Sequence, residues 1–404
     1  MKTNTEVQTA ISSKEVSFSQ EIANGFTKGQ IAAALSPQIQ ELILFPTEKC
    51  NFRCTYCYED FEIGKMSKAT QTAITRLIDR RAPGLKKLTF SWFGGEPLLA
   101  KDVVFKLARH AHEASRMYGI EFFGGLTTNA YLLDLPTATE LVEYRQNFFQ
   151  ITLDGFGDAH DVLRRRADGR GTFQRIWDNL VGMKSLEKSF DCMLRIHVRR
   201  DNIPNLEQLM AAIAGEFGAD RRYRMDFQHL RNMGGEGGKT IVAPLSISEL
   251  RFVEQHLRQV FRASLRKLPP ADFPAFSWSA ITPQLTGQDM PVPLGESASS
   301  RRAEDIVANE PYICYASRPN SLIVRANGRI GKCTVALSDE RNDLGYIAED
   351  GTLVINDMKL QPWMRGLSML DANVAGCPLG SLPIETYPSP MPSGKRIIPI
   401  TANA

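Results

Sequence analysis

The stretch CNFRCTYC, residues 50–57, places three cysteines within eight residues at the spacing C-x3-C-x2-C. It comes directly after an apolar run, ELILFP at residues 41–46, whose composition is typical of a buried strand. The sequence therefore predicts a strand that leads straight into a short loop bearing three thiols.

The spacing of these cysteines favours one kind of metal site over its alternatives. Three thiolates on one short loop suit an iron–sulfur cube, because they can hold three corners and leave the fourth iron open. A zinc site is disfavoured because the loop has neither a nearby fourth ligand nor paired C-x2-C motifs. Three structural cysteines would have this spacing only by coincidence. An open iron can bind a small molecule, whereas a closed four-cysteine site mainly transfers electrons or stabilises structure.

Composition narrows the class of protein. The chain has 404 residues, enough for two domains or one large domain with an appendage, and its 43% apolar content is that of a globular protein. The 48 basic and 45 acidic residues nearly cancel, which gives no sign of a nucleic-acid partner. No apolar run approaches the roughly 20 residues of a membrane helix, and residues 1–14 lack the apolar core of a secretory signal. The seven cysteines therefore fit a reducing cytoplasm better than a disulfide framework.

Strand-like and helix-like segments alternate from residue 41 to about residue 231. The predicted strands are residues 41–46, 87–92, 121–127, 148–154, 191–199 and 222–230, and the predicted helices are one capped by Ser67 and those at 102–118, 136–145, 173–186 and 206–217. Six such units in a row favour an α/β fold with a parallel sheet or barrel. Polar residues along one face of the fifth strand, Arg195, His197 and Arg199, suggest a partly open barrel with a polar lumen.

The rest of the chain divides into three regions around a barrel at residues 39–235. Residues 1–38 resemble a polar N-terminal arm with one possible short helix, and residues 236–311 a helical and Pro-rich connection. Residues 312–404 form a C-terminal region in which Asn327-Gly328 predicts a type I′ hairpin turn.

Polar motifs stand at the ends of the second, third and fourth predicted strands. They are Phe93-Gly94-Gly95-Glu96-Pro97, Thr127-Thr128-Asn129-Ala130 and Thr152-Leu153-Asp154-Gly155. The two glycines of the first motif allow a backbone edge to approach a ligand closely, and Glu96 can accept a hydrogen bond from an ammonium group. Taken alone, each motif is also explained by a plain turn or by polar side chains that satisfy backbone groups. A further run, GGEGGKT at residues 234–240, lacks the first glycine of a phosphate loop and is predicted to be a flexible loop at the barrel mouth.

Residues 46–59, PTEKCNFRCTYCYE, strongly resemble the radical S-adenosylmethionine (SAM) superfamily, and the Gly-Gly-Glu motif agrees with that resemblance. It implies a partial (β/α)6 barrel of the TIM type in which Cys50, Cys54 and Cys57 bind a [4Fe–4S] cluster. SAM would chelate the fourth iron through its amine and carboxylate. One electron from the cluster would then split the sulfonium and yield a 5′-deoxyadenosyl radical that abstracts an unactivated hydrogen.

The resemblance also implies which residues bind SAM. Gly94, Gly95 and Glu96 would contact the methionine amine, and Arg195 would support the carboxylate or ribose. Thr128 and Asn129 match a T-N-G pattern in which Ala130 replaces the glycine. Asp154 matches an S-L-D-G pattern in which Thr152 replaces the serine, and Tyr56 stands where the family has an aromatic residue beside the adenine.

Two other sets of residues receive no chemical role from the sequence. His160, Asp161 and Arg164 resemble a recurring segment of the family, but helix capping or a surface position explains them equally well. Cys192 lies on the apolar face of its predicted strand and is interpreted as a core cysteine.

A second group of cysteines, Cys314, Cys333 and Cys377, lies in the C-terminal region. With Gly328 the first two form C-x13-G-x4-C, which resembles the opening of the SPASM domain, an extension that carries auxiliary iron–sulfur clusters in peptide-modifying members. The chain lacks the C-x2-C-x5-C-x3-C run of a full SPASM domain. The resemblance therefore implies a reduced, "twitch"-type extension with a second, auxiliary iron–sulfur cluster whose fourth position is filled by water, substrate or a distant residue. Three unrelated buried cysteines are the alternative.

The functional hypothesis is a radical SAM maturase of a ribosomally made peptide. It would install a thioether or carbon–carbon (cyclophane) cross-link with net loss of two hydrogens, and would take electrons from a reductant such as flavodoxin or ferredoxin. Residues 1–38 are too short for a winged-helix peptide-recognition module, so leader binding would use the barrel, the extension or a separate protein.

Three alternatives remain open. One is an anaerobic sulfatase-maturating enzyme that makes formylglycine, disfavoured because that subgroup carries the full seven-cysteine extension. Another is a small-molecule dehydrogenase or mutase of the same superfamily. The third, a non-catalytic iron–sulfur electron carrier, is disfavoured by the open fourth iron and by the Gly-Gly-Glu motif.

Overall fold

A computed structural model describes residues 21–23, 25–241, 243–266, 277–278 and 311–383. Three sequence predictions fall wholly or partly outside these residues: most of the polar N-terminal arm, most of the Pro-rich connection and the irregular tail after residue 383. Within these ranges, no helix combines the length and apolar character that crossing a membrane requires.

The strands are short at both ends of the chain and longer in the middle. In chain order they are β1 (Glu21–Ala23), β2 (Phe26–Thr27), β3 (Ile39–Leu44), β4 (Phe52–Cys54), β5 (Lys87–Trp92), β6 (Glu121–Thr128), β7 (Gln146–Leu153), β8 (Arg164–Arg166), β9 (Asp191–Val198), β10 (Tyr223–His229), β11 (Ser277–Trp278), β12 (Ser321–Val324), β13 (Arg329–Gly331), β14 (Gly345–Ile347) and β15 (Leu353–Ile355).

Helices alternate with the longer strands. In chain order they are α1 (Lys28–Leu35), α2 (Lys68–Arg81), α3 (Lys101–Tyr118), α4 (Leu135–Glu143), α5 (Asp158–Leu163), α6 (Phe173–Met183), α7 (Ile203–Phe217), α8 (Gly235–Gly238), α9 (Ile247–Leu265), α10 (Asp357–Ser368) and α11 (Ala372–Gly376).

The six strands predicted for the barrel lie side by side in the order β10-β9-β7-β6-β5-β3, and every neighbouring pair is parallel. Helices connect successive strands, as parallel pairing requires. This arrangement confirms the α/β fold with a partial (β/α)6 barrel. Because all six strands point the same way, the loops that follow them meet at one edge of the sheet, where ligands bind in such folds.

Local signals explain where the helices begin. Ser67 accepts a hydrogen bond from the Thr70 amide at the start of α2, and Ser246 forms a reciprocal capping box with Glu249 at the start of α9. A third cap begins α1, where Thr27 and Gln30 form a capping box. The helices therefore begin where side chains satisfy their first free amides.

The sheet continues from the barrel into the C-terminal region. β12 pairs in parallel with β3, and β13, β14 and β15 follow as antiparallel neighbours. Two ion pairs cross the same boundary: Arg318 to Glu41 at 2.8 Å, and Arg325 to Glu48 through two contacts of 2.6 and 3.0 Å. Both glutamates are buried. The strand pairing and the ion pairs together join the C-terminal region to the barrel.

The turn between β12 and β13 differs from the prediction. A type I′ turn needs positive φ at both central residues, but Gly328 has φ of +81° and Asn327 is not among the residues with positive φ. The Gly328 amide donates to the Arg325 carbonyl, and the Arg325 amide donates to Arg329. The type I′ prediction is therefore wrong, and the pattern is that of a wider turn closed by one left-handed glycine.

Candidate functional site

The cysteine loop begins shortly after β3, at the edge of the sheet where the parallel strands end. Phe52–Cys54 form β4, the Phe52 amide donates to the Cys50 Sγ at 3.3 Å, and the Cys57 amide donates to the Cys54 carbonyl at 3.1 Å. All three cysteines are free thiols of intermediate exposure. The loop therefore offers three unpaired sulfur atoms at the mouth of the barrel.

Burial is the main influence on these thiols. It raises the pKa of Cys50 and Cys54, and that of Cys57 to about 12, and the neighbouring thiols raise the pKa of Cys50 further. Across the described part of the chain, no three His, Cys, Asp or Glu side chains are grouped as the ligands of one metal ion would be. An iron–sulfur cube binds each thiolate at a different corner, so the ligands it needs are spread more widely than those of a single ion.

Gly94 and Gly95 lie against the backbone that leads into the cysteine loop. A Cβ atom on Gly94, whose φ is +105°, would come within 2.4 Å of the Thr47 carbonyl oxygen, and one on Gly95 within 2.4 Å of the Lys49 oxygen. The Glu96 amide donates to that same Lys49 oxygen at 3.0 Å. The close approach that these glycines permit is therefore, in this structure, to the cysteine loop.

Glu96 joins the ends of β5 and β6. It is fully buried, and its carboxylate accepts hydrogen bonds from the Leu98 amide (2.9 Å), the Thr128 hydroxyl (2.8 Å) and the Asn129 amide (2.7 Å). Burial raises the pKa of Glu96 despite these hydrogen bonds, which lower it. A carboxylate has about four acceptor sites, so three donors leave capacity for one more.

Asn129 extends this group to the first cysteine. Its Nδ2 donates to the Asn51 side chain at 2.8 Å and lies 3.9 Å from the Cys50 Sγ. The next residue, Ala130, has φ of +60°, a left-handed conformation that favours glycine. Ala130 therefore adopts an unfavourable conformation at the position where the family pattern has glycine.

A second buried group surrounds Asp154. The Tyr56 hydroxyl donates to one oxygen of Asp154 at 2.5 Å, and His197 Nδ1 lies 2.8 Å from the other. Arg164 donates to the same Tyr56 oxygen at 2.6 Å. Burial alone would raise the pKa of Asp154, but His197 and Arg164 outweigh burial and hold that pKa well below its usual range.

The segment 160–164 contributes more than the sequence predicted. Asp161 accepts hydrogen bonds from the Thr172 and Phe173 amides and so caps α6, one of the two expected uses. A surface position is wrong for His160 and Arg164, which are 0% and 8% exposed. Burial, then the charge of Arg164, lowers the pKa of His160 to about 4.

Arg195 lies on β9, where it is the register partner of Thr152 on β7. Its Nε lies 3.3 Å from an Asp226 oxygen on the neighbouring strand. Arg195 is therefore held by a carboxylate of the sheet in this structure.

Hydrogen bonds join the segments that carry Cys314, Cys333 and Cys377: next to the first two cysteines, the Thr334 amide donates to the Tyr315 hydroxyl at 3.0 Å. The pKa of Cys314 is raised to about 12, mainly by burial and to a smaller extent by Cys333 and Cys377. The Cys314 amide donates to the Ala375 carbonyl at 2.9 Å, and Asn342 accepts from the Cys333 amide at 2.9 Å. Cys192, by contrast, is fully buried in the main hydrophobic core.

The glycine-rich run at 234–240 also touches the cysteine loop. The predicted flexible loop contains the short helix α8, whose Gly237 amide donates to the Cys57 carbonyl at 3.2 Å. A Cβ atom on Gly237 would lie 2.3 Å from that oxygen, and one on Gly235 would lie 2.6 Å from the Tyr58 oxygen. These glycines let two backbones pack directly on each other.

Sequence reasoning missed several residues that contact the site. They are Asn51, His160, Arg164 and His197 around the strand ends, and Gly235 and Gly237 on the cysteine loop. The polar face of the fifth strand gave a signal for His197. The family-like segment that includes His160 and Arg164 gave a signal for these two, whereas Asn51, Gly235 and Gly237 contact segments distant in sequence.

The sequence matches one protein-family model and several known proteins. Residues 44–209 match the model of the radical SAM superfamily. A GTP 3′,8-cyclase of Staphylococcus saprophyticus is 32% identical over 237 residues, which cover 56% of this chain and 65% of the cyclase. A serine-type anaerobic sulfatase-maturating enzyme of Klebsiella aerogenes is 26% identical over 152 residues, 37% of each protein. The chain thus spans less than two thirds of the length of the curated relatives that it matches.

A solved structure shares the fold over most of the chain. Streptococcus suis SuiB bound to precursor peptide SuiA aligns with a TM-score of 0.52 and 16% identity, over 83% of this chain and 67% of SuiB. At this identity the likeness shows the fold alone.

Proposed function

We propose that this chain, a member of the radical SAM superfamily through residues 44–209, cleaves SAM reductively. The reaction would take place at a [4Fe–4S] cluster held by Cys50, Cys54 and Cys57. The observation that carries the proposal is the set of three free thiols on one loop at the carboxyl edge of the parallel sheet. When bound, the cluster and SAM would supply a 5′-deoxyadenosyl radical.

The chain's own residues would bind and orient SAM. Glu96 has one acceptor site left for the ammonium group, and its two glycine neighbours bring it against the cysteine loop. Thr128 and Asn129 hold that carboxylate in place. We assign Tyr56 and Asp154 to the adenosine side of SAM and Arg195 to its carboxylate or ribose.

Anaerobic reconstitution tests this proposal. The wild type should form 5′-deoxyadenosine from SAM under a strong reductant, and Cys50→Ala, Cys54→Ala and Cys57→Ala should each abolish it, with loss of about four irons per chain. Cys192→Ala is the matched control, because that cysteine is buried in the core and should leave iron content and cleavage unchanged. SAM cleavage that persists in all three loop variants would contradict the assignment.

We further propose that Cys314, Cys333 and Cys377 hold an auxiliary cluster in a reduced extension spanning residues 312–404, after a barrel at 39–235 and a connection at 236–311. Support comes from two hydrogen bonds that join the segments bearing these thiols, from the Cys314 amide to Ala375 and from the Thr334 amide to the Tyr315 hydroxyl. About eight irons per wild-type chain, and about four in the Cys314→Ala/Cys333→Ala variant, are expected. About four irons in the wild type would contradict a second cluster.

The proposed substrate is a ribosomally made peptide, which the enzyme would cross-link. SuiB, which shares the fold, was solved with a precursor peptide. A short open reading frame beside this gene would supply the candidate for coexpression and mass spectrometry. Loss of two hydrogens with cross-link fragments is expected, whereas an unchanged mass with deuterium uptake would indicate epimerisation and contradict cross-linking.

Sulfatase maturation is the second candidate, favoured by the 26% identity to the maturating enzyme. A Ser- or Cys-containing sulfatase peptide would then gain an aldehyde that reacts with a hydrazide probe. Reaction of that peptide, with no cross-link in the neighbouring peptide, would favour this candidate over the first.

We also propose a reducing, cytoplasmic setting and a flavodoxin or ferredoxin as electron donor. None of the seven cysteines is in a disulfide, which is the state that a reducing compartment maintains.

A further inference from the structure

The cysteine loop is held by a two-stranded ladder outside the main sheet. β4 pairs antiparallel with β8, so that Cys54 lies opposite Arg164 and Phe52 opposite Arg166. The Thr55 amide extends the ladder by donating to the Leu163 carbonyl at 3.0 Å. This ladder places a guanidinium group at a defined position relative to the second cysteine.

Arg164 is buried, although its two neighbours in the arginine run are not. It is 8% exposed, whereas Arg165 is exposed and Arg166 is half-buried. A guanidinium group stays charged at any pH at which the protein is folded. A fixed positive charge is therefore kept inside the protein beside a loop that carries three thiols.

The hydrogen bonds of Arg164 are incomplete. Its Nη1 donates to the Tyr56 hydroxyl at 2.6 Å, but its buried Nε has no hydrogen-bond acceptor. The nearest carboxylate oxygen, on Asp154, is 3.8 Å from Nε, which is too long for a hydrogen bond. A buried donor without an acceptor is unfavourable, so this N–H is available to an acceptor that binds beside it.

We propose that Arg164 is a positioning residue that sets the reduction potential of the cluster bound by Cys50, Cys54 and Cys57. Its charge, and its Nε–H directed to a cluster or cysteine sulfur, would favour the reduced cluster, because reduction adds one negative charge. Asp154 is not in a close ion pair with Arg164, since its nearer oxygen lies 3.8 Å from the Nε. The inference rests on the proposed function, because it requires the cluster.

An EPR-monitored redox titration of the reconstituted full chain, without SAM, tests this role. The wild type and every variant compared carry Cys314→Ala/Cys333→Ala in addition, so that only the cluster at the cysteine loop contributes to the signal. In Arg164→Gln the ratio of reduced to oxidised cluster at a given potential should fall about tenfold, which corresponds to a midpoint about 59 mV lower for one electron. Arg164→Lys keeps the charge and should stay close to the wild type. Arg165→Gln, the exposed neighbour in the same strand, should leave the midpoint unchanged.

The outcomes separate this inference from the proposed function. A wild type without an EPR-active cluster would defeat the proposed function itself. An unchanged midpoint in Arg164→Gln, or the same decrease in Arg165→Gln, would overturn only the role of Arg164. If Arg164→Gln fails to bind iron, Arg164→Lys decides. A midpoint potential near that of the wild type supports the proposal. A midpoint about 59 mV lower, which is a tenfold fall in the ratio of reduced to oxidised cluster, overturns it.

Discussion

Single residues near the cysteine loop are buried with their charges balanced over short distances. Asp154 is fully buried: Tyr56 donates to one of its oxygens, His197 Nδ1 lies 2.8 Å from the other, and Arg164 supplies a nearby positive charge. His160 accepts a hydrogen bond from the Asp154 amide through its Nδ1 at 3.3 Å, and its Nε2 has no partner. His160 can therefore remain buried only as the neutral ring, because a second positive charge would lie beside Arg164.

We expect protonation of His160 to destabilise the protein in acid. Its pKa is lowered from 6.5 to about 4 in the folded state, so the unfolded state binds more protons between these values. The free energy of unfolding therefore falls as the pH drops from 6.5 through 4, by roughly 3 kcal/mol in total. Urea denaturation over this range should show the loss in the wild type and a smaller one in His160→Gln. Parallel curves for the two proteins would refute this assignment.

At the scale of elements, the cysteine loop depends on contacts from three directions. β8 pairs with β4, the loop of Gly94 and Gly95 packs on the residues before Cys50, and α8 packs on Cys57. In each case main-chain atoms of the neighbouring segment contact main-chain atoms of the cysteine loop, so these contacts do not depend on large side chains. The loop geometry is therefore sensitive to the smallest increase in side-chain size at the glycines.

Gly237→Ala should disturb the loop. The added methyl group would lie 2.3 Å from the Cys57 oxygen and 2.4 Å from the Cys57 nitrogen, so the backbone must shift. Overpacking of this kind costs about 1–3 kcal/mol, and we expect lower unfolding stability and fewer bound irons after reconstitution. Gly64→Ala is the matched control, because nothing lies within 4 Å of its added methyl group. Equal iron contents in the two variants would argue against a role for α8 in holding the loop.

The bounds of the barrel strands could be predicted because they depend on local sequence patterns. The strand β5 has the predicted bounds and the other barrel strands lie within two residues of theirs, because alternation and apolar runs depend on neighbours in sequence. Burial of Arg164 could not be predicted, because it follows from the pairing of β8 with a loop more than 100 residues earlier. The three cysteines of the second group were predicted to act together. The hydrogen bonds that join their segments, from Thr334 to Tyr315 and from Cys314 to Ala375, had no signal in the sequence.

The whole molecule is organised around one sheet that includes the C-terminal strands. β12 extends the barrel sheet beyond β3, and the pairs Glu41–Arg318 and Glu48–Arg325 lie along this boundary. Glu48 is two residues before Cys50 and is 2% exposed. A change on the C-terminal side of this boundary therefore acts directly on the segment that enters the cysteine loop.

Arg325→Met should destabilise the whole protein by about 3–5 kcal/mol, because it leaves the buried Glu48 carboxylate without its partner. Arg329→Met on the same hairpin is the control, since its pair with Asp343 is 42% and 43% exposed and such pairs contribute about 1 kcal/mol or less. Chemical denaturation gives both values. The double variant Glu48→Gln/Arg325→Met should recover most of the loss, and similar losses in the two single variants would contradict a special role for this boundary.

The pairing of β12 with β3 also has a consequence for how the chain is synthesised. Gln40, at the start of β3, hydrogen-bonds to Asn320, 280 residues later. Until the ribosome has produced that later segment, one edge of β3 has unpaired amides and carbonyls next to the apolar residues Leu42, Ile43 and Leu44. An open edge of this kind promotes association with other chains, and contacts so distant in sequence form slowly. The nascent barrel would therefore be most exposed to aggregation, and most dependent on chaperones, in the interval before β12 emerges.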